Sequence, residues 1–254
     1  DGIEGPIELP NPSGDARTIR LDPTQPKPSP PSLDAPSRLL AVSDLEGNHE
    51  TLVRFLRANG VIDDDGRWTY GSGHLVFNGD IVDRGDQVTE ILWFIHDLEQ
   101  QARDAGGRVH YVLGNHEAMV MAGDLRYIHP KYRFTSEQLG ATYDELFGPS
   151  TEFGRWFRTR NAVQRVGPLL FVHAGYSPVL EQLELEPDTL NGQIRSGLGP
   201  PAWPRDDTLT TQLIWSQQGP LWYRGYFKQY ADQWGGFPTD EQLLAILDRH
   251  GAEH

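Results

Sequence analysis

The chain has 254 residues and 37% hydrophobic content, enough to bury a substantial core in one large domain or two small ones. Its formal net charge is -14, and no Lys/Arg cluster interrupts the acidic balance, so the surface repels phosphate backbones and nucleic acid is excluded as a partner. The absence of cysteine excludes disulfides, zinc–thiolate sites and cysteine nucleophiles, and no apolar run approaches the ~20 residues of a membrane span.

Residues 1–36 hold nine of the 19 prolines and form an extended arm or linker, with a short extended piece near Arg17–Leu21. The first residue is Asp1, not Met. A removed export signal, with a periplasmic address, fits that start as well as a trimmed cytoplasmic protein does. From Arg38 the pattern becomes β-α-β. Leu39–Val42 predicts a short buried strand, and His49–Asn59 a helix with Leu52, Phe55 and Leu56 on one face, ended by Gly60. Asp63–Gly66 is a turn; it lacks the spaced acids and closing Glu of a calcium loop. His74–Phe77 is the second strand, Gln87–Ala105 a helix with Ile91, Phe94, Ile95 and Leu98 inward, and Val109–Leu113 the third strand. A mostly helical insertion spans about 116–160. Ala162–Val166 and Leu169–Val172 form a strand pair around Gly167-Pro168, 191–204 is a Gly/Pro-rich loop, and Asp240–Arg249 is the last helix. Strands alternating with helices predict an α/β fold with a mainly parallel sheet covered on both faces, and a ligand site at the carboxyl ends of its strands.

Four strands end in polar clusters: Ser43-Asp44-Leu45-Glu46-Gly47, Asn78-Gly79-Asp80-Ile81-Val82-Asp83-Arg84-Gly85, Gly114-Asn115-His116-Glu117 and His173-Ala174-Gly175. Taken singly, each has an ordinary reading. Asp80 could cap a helix, Asp83-Arg84 could be a surface ion pair, Asn115 a turn residue and His173 a core histidine. Converging on one rim, they make a set of oxygen and nitrogen ligands suited to Mn, Fe, Zn or Mg, and two such ions can clamp a phosphate ester for hydrolysis. His49, His74, His96, His110 and His129 fall outside the pattern.

The segments GDIVDRG, GNHE and HAG, in this order, resemble the phosphoprotein phosphatase branch of the calcineurin-like metallophosphoesterases. GDLRYI, FGRWFRTRNAV, FVHAGYSP and LWYRGYF are similar to its Shewanella-like branch, and the likeness runs from about residue 38 to the end. The resemblance implies central β-sheets forming a sandwich, flanked by helices. It implies two divalent ions, with Asp44 on the first, Asp80 bridging, and Asn115 and His173 on the second. His116 would be the general acid, oriented by Asp83, and Arg84 and Arg224 would grip the phosphate. Gly79, Gly85, Gly114 and Gly175 would let backbone approach the ions or turn sharply. Arg126, in GDLRYI, is read as pairing with an acid of the insertion before it is read as a substrate contact.

Two features depart from the family's pattern. Glu46 stands where a metal-binding histidine is usual, and is placed by position in the ligand set; Gly47-Asn48-His49-Glu50 is a second GNHE, rejected because it opens the first helix. One more histidine is expected after a further strand, and the chain stops at His254, which comes too early. The domain, 37–254, is thus expected to lack its C-terminal part, with His250 a cation at a helix end. The implied activity is hydrolysis of phosphomonoesters, on phosphoprotein, phosphopeptide or small phosphoester substrates, by a hydroxide held between the two ions. The alternatives are a dinucleoside-polyphosphate hydrolase and an inactive pseudo-phosphatase that only binds.

Overall fold

The computed structural model describes residues 27–199 and 208–254 in full, and residues 6–9 and 17–20 as backbone. Two short strands, β1 (Pro6–Leu9) and β2 (Arg17–Arg20), pair antiparallel, so the extended piece expected near Arg17 is half of a hairpin.

The first main sheet is parallel and ordered β4-β5-β6, from Leu39–Val42, His74–Asn78 and Arg108–Val112. Helix α1 (His49–Ala58) joins β4 to β5, and α2 (Val88–Asp104) joins β5 to β6. Because the strands lie side by side in chain order, right-handed crossovers put both helices on one face. That face carries Leu75, Phe77, Val109 and Tyr111, which pack with Leu52, Leu56, Ile91, Ile95 and Leu98 in the main core. The alternate positions, Val76 and Val112, point the other way and pack with Val166, Leu39 and Phe171. This second cluster lies between the first sheet and a smaller one, so helices cover one face and a sheet covers the other.

The second sheet has order β3-β7-β8, from Ser32–Leu33, Val163–Val166 and Leu169–Val172. Its β3 lies inside the segment read as an arm: Arg165 N donates to Pro31 O at 2.8 Å and Gly167 N to Leu33 O at 2.9 Å. A proline-rich stretch can accept such bonds, which need only its carbonyls, and it sits here on a sheet edge. The sheets meet at Asn161, 1% exposed, which donates to Ser29 O at 3.0 Å and accepts the Leu113 N–H at 2.9 Å through its backbone carbonyl.

Between β6 and β7 the insertion holds α3 (Asn115–Met121), α4 (Pro130–Leu139), a 3-10 turn (Asp144–Phe147) and α5 (Glu152–Phe157). Three helices beyond β8 gave no clear sequence signal: α6 (Pro178–Glu181), α7 (Pro187–Ser196) and α8 (Leu209–Trp215). The start of the expected 191–204 loop is therefore the last turns of α7. The last helix, α9 (Asp240–His250), opens with a Thr239/Gln242 capping box and closes on Gly251 at φ 61°. After it, Glu253 N and His254 N donate to Pro168 O, and Leu170 N donates to His254 O at 2.8 Å, alongside β8.

Two further expectations change in the structure. Strand β4 is only half-buried, with Ala41 exposed, because it forms the edge of its sheet. His250 is buried against the Tyr176 ring, and burial, with Arg249 beside it, pushes its pKa down to about 4. It is neutral at pH 7, not a helix-end cation.

Candidate active site

All four polar clusters fall at the carboxyl ends of strands: β4 delivers Asp44, β5 Asp80, β6 Asn115 and His116, and β8 His173. The loops after β4 and β5 are laced together, with Asp44 N donating to Gly79 O, Glu46 N to Asp80 O and Gly47 N to Ile81 O at 2.8–3.1 Å. This lacing holds Asp44, Glu46, Asp80, Asp83 and Arg84 at φ between 46° and 71°. Each such residue costs on the order of 1 kcal/mol, so the surrounding bonds must over-determine the geometry. Close approach decides two glycines. A Cβ on Gly79 would stand 2.6 Å from His173 Nδ1, and one on Gly114 would stand 2.5 Å from Asp80 N.

Asp44, Asp80 and His173 each offer a ligand atom, all within 4.8 Å of one another. His173 Nδ1 donates to Asn78 O at 2.8 Å, which turns Nε2 toward Asp80 Oδ2 and Asn115 Oδ1, each 3.1 Å away. Burial lowers the His173 pKa, but the hydrogen bond and charge of Asp80 outweigh it and lift the imidazole to about 9. Burial raises Asp80, and His173 and His116 more than offset that, leaving it below the usual carboxylate range. A proton on His173 Nε2 is thus the positive charge that this acidic cluster draws in. An Asp/Asp/His/Asn set of oxygen and nitrogen donors, with Asp80 only 2% exposed, fits a divalent cation by the same chemistry.

Beside this cluster, His116 Nδ1 donates to Asp83 Oδ2 at 2.7 Å, and its backbone N donates to Asp80 Oδ1 at 3.0 Å. Both side chains are buried. Burial, reinforced by Asp80 and Asp124, raises Asp83 above its ordinary range despite the His116 bond. With Nδ1 committed to Asp83, Nε2 is the nitrogen left to exchange a proton with a ligand.

A cleft of about 390 Å³ opens next to these residues and is lined by Arg84, Asn115, His116, Arg126, Tyr127 and Arg224, with Trp215, Trp222 and Trp234 among its walls. It brings both predicted arginines to the predicted acid. Among the described residues Arg224 makes no ion pair, whereas Arg126 is held in a two-pronged pair with Asp124 at 2.7 and 2.8 Å, the acidic partner expected for it. Glu46 was expected, by position, in the ligand set. Its carboxylate is paired with the Arg84 guanidinium and does not join the Asp44–Asp80–His173 group.

The sequence reading gave no role to Glu117. This carboxylate is fully buried and accepts from Asp80 N at 3.0 Å, Ile81 N at 2.9 Å, Gly114 N at 2.7 Å and Tyr111 OH at 2.9 Å. It ties the β5 and β6 loops into one unit, and burial, with Asp80 close by, raises its pKa. Its position inside GNHE was the available signal. Of the tryptophan walls, Trp222 lies in LWYRGYF two positions before Arg224, whereas Trp215 and Trp234 had no signal because they lie outside the motifs.

A family model described as calcineurin-like phosphoesterase matches residues 37–251. The Shewanella-like protein phosphatase 2 of Arabidopsis thaliana is 41% identical over 39% of this chain and 25% of its own length. The Shewanella-like protein phosphatase 1 of Plasmodium berghei is 26% identical over 85% of this chain and 59% of its own length. The chain therefore spans less than two thirds of either relative. The crystal structure of a cold-active protein-tyrosine phosphatase from a psychrophilic Shewanella species superposes with a TM-score of 0.86 at 36% identity, covering 99% of this chain and 74% of that one.

Proposed function

The chain belongs to the calcineurin-like phosphoesterase family, and from that premise we propose that it is a metal-dependent phosphatase hydrolysing phosphomonoesters, with phosphorylated protein or peptide as the substrate class. The observation that carries this reading is the meeting of the Asp44–Asp80–His173 cluster with the His116–Asp83 pair at one cleft. The phosphatase names of the Arabidopsis, Plasmodium and Shewanella proteins support the substrate class.

Asp44, Asp80, Asn115 and His173 would hold two divalent ions. When bound, the ions supply positive charge that polarises the phosphoryl group and acidifies the attacking water. Arg224 and Arg84 line the cleft and would bind non-bridging phosphoryl oxygens in fork geometry. His116 gives the Nε2 proton to the leaving oxygen, and Asp83 stabilises the proton on Nδ1 and fixes the ring. The tryptophans and Tyr127 enclose the leaving group and limit water in the cleft. The ligand oxygens of Asp80 keep their direction because Glu117 clamps the backbone N–H of Asp80 and of Ile81.

Metal content of the purified protein, and turnover of p-nitrophenyl phosphate, a tyrosine-phosphorylated peptide, a serine-phosphorylated peptide and diadenosine tetraphosphate with Mn, test this. Metal-dependent release of phosphate from the monoesters, abolished by chelation, is expected. Turnover of diadenosine tetraphosphate alone would assign the dinucleotide hydrolase activity instead. Bound phosphopeptide without turnover would make the chain a binding module.

A further inference from the structure

Glu46 sits where the sequence pattern places a metal ligand, and the structure gives its carboxylate other work. The Glu46 side chain, 25% exposed, is ion-paired with the Arg84 guanidinium, which is 45% exposed and lines the cleft. The backbone that carries each residue is fixed. Glu46 has φ 46° and Arg84 φ 55°, and both backbones are tied down. Glu46 N donates to Asp80 O at 3.0 Å, its carbonyl accepts from Gly85 N at 2.9 Å, and Arg84 N donates to Tyr127 O at 2.9 Å. A side chain at Gly85 would collide with the Glu46 carbonyl, so the two loops approach this closely only because residue 85 has no Cβ. The Tyr127 ring, 5.2 Å from the guanidinium carbon, limits Arg84 on another side.

We infer that Glu46 serves Arg84 and not a metal ion. Its carboxylate occupies the guanidinium fork as an internal stand-in for the phosphoryl group and yields to the substrate when that arrives. This rests on the cleft being the phosphate site. A carboxylate and a phosphate compete for the same planar set of N–H donors. The pair is weak enough to exchange, since a partly exposed ion pair contributes little net stability. It keeps a long cationic side chain at the cleft between turnovers, and it lowers the affinity for anions, free phosphate included. Glu46 is thus a positioning residue that trades binding strength for release of product.

The test reads metal and phosphate binding separately. Calorimetric titration with Mn and inhibition by inorganic phosphate are measured on the wild type, E46Q, R84A and the E46Q/R84A double variant, with circular dichroism as the folding check. Glu46→Gln should leave Mn affinity within about twofold, because no ligand is lost, and should tighten phosphate inhibition by about threefold, the size of a lost exposed ion pair. In the R84A background the same substitution should leave phosphate inhibition unchanged. If E46Q is poorly folded, Glu46→Asp, which shortens the reach to Arg84, should tighten phosphate inhibition in the same direction. A tenfold or greater loss of Mn affinity in E46Q would restore Glu46 as a ligand and overturn the inference. So would an equal gain in phosphate affinity with and without Arg84, which marks a general field effect, or no gain at all. A wild type that binds neither Mn nor phosphate would overturn the reading of the whole cleft, an outcome distinct from any E46Q result.

Discussion

The floor and the rim of the cleft are built by different means. The floor, comprising Asp80, Asn115, His116 and Glu117, is at most 4% exposed, and its side chains are fixed by hydrogen bonds, Asp80 and Glu117 from backbone N–H groups, His116 to Asp83 and Asn115 to His173. The rim, comprising Arg84, Tyr127, Arg224 and the three tryptophans, comes from loops and short helices at wide intervals along the chain, and its cations are half-exposed. A rigid floor can hold ions whose geometry tolerates little error, while a softer rim can accept ligands of varied shape. Errors in the floor should therefore be large and affect metal and fold; errors in the rim should be smaller and affect substrate alone.

The largest expected effect is at Asp80. Asp80→Asn removes the buried carboxylate at the centre of the Asp44–Asp80–His173 cluster and should cost more than the roughly 10–100-fold in metal affinity typical of outer-shell changes, together with nearly all turnover. Elemental analysis and p-nitrophenyl phosphate kinetics check this, and retained metal with retained turnover would break the picture of the floor. Next comes His116. His116→Asn should slow phenyl phosphate by roughly 10²–10⁴-fold and p-nitrophenyl phosphate much less, because only the poorer leaving group needs the proton. Equal losses on the two esters would remove His116 from the acid role.

Glu117→Gln separates fold from chemistry. One oxygen of the clamp becomes an NH₂ that faces donors, leaving at least one buried N–H or O–H unpaired at about 1–3 kcal/mol. Urea unfolding should show that loss, with a matching fall in metal affinity. Unchanged stability would mean that the clamp is dispensable. The smallest effect is expected on the rim. Arg224→Ala should weaken substrate binding by about tenfold, the loss of a charge-assisted hydrogen bond or two, with metal content and melting unchanged. If Arg224→Ala strips the metal as Asp80→Asn does, floor and rim are one unit.

The difference between floor and rim also explains what could be read in advance. Each floor residue lies within a few positions of a strand end, and strand ends follow from short apolar runs such as Leu75-Val76-Phe77 and Val109-His110-Tyr111-Val112. Motif spacing then carries Asp80, Asp83, Asn115 and His116 together. Helices α1, α2 and α9 were legible because their apolar positions recur at helical spacing, with Gly60 just past the end of α1 and Gly251 closing α9. Helices α6, α7 and α8 were not, since α6 and α8 are too short for a period to register and α7 starts on a proline in polar sequence.

By itself, then, the sequence determined the strands and helices from β4 to β6, the β7–β8 pair, the last helix and the four strand ends that bear ligand-type side chains, because those depend on local propensity; the pairing of His116 with Asp83, 33 positions apart, came from the family resemblance. Only the tertiary structure decided that β3 leaves the proline-rich segment to join the second sheet, that His250 is buried and neutral, that Trp215, Trp222 and Trp234 wall one cleft, and that Glu46 reaches Arg84 in preference to the Asp44–Asp80–His173 cluster. Those outcomes rest on contacts between residues distant along the chain and on left-handed backbone at Glu46 and Arg84, and neither leaves a periodic trace in the order of amino acids.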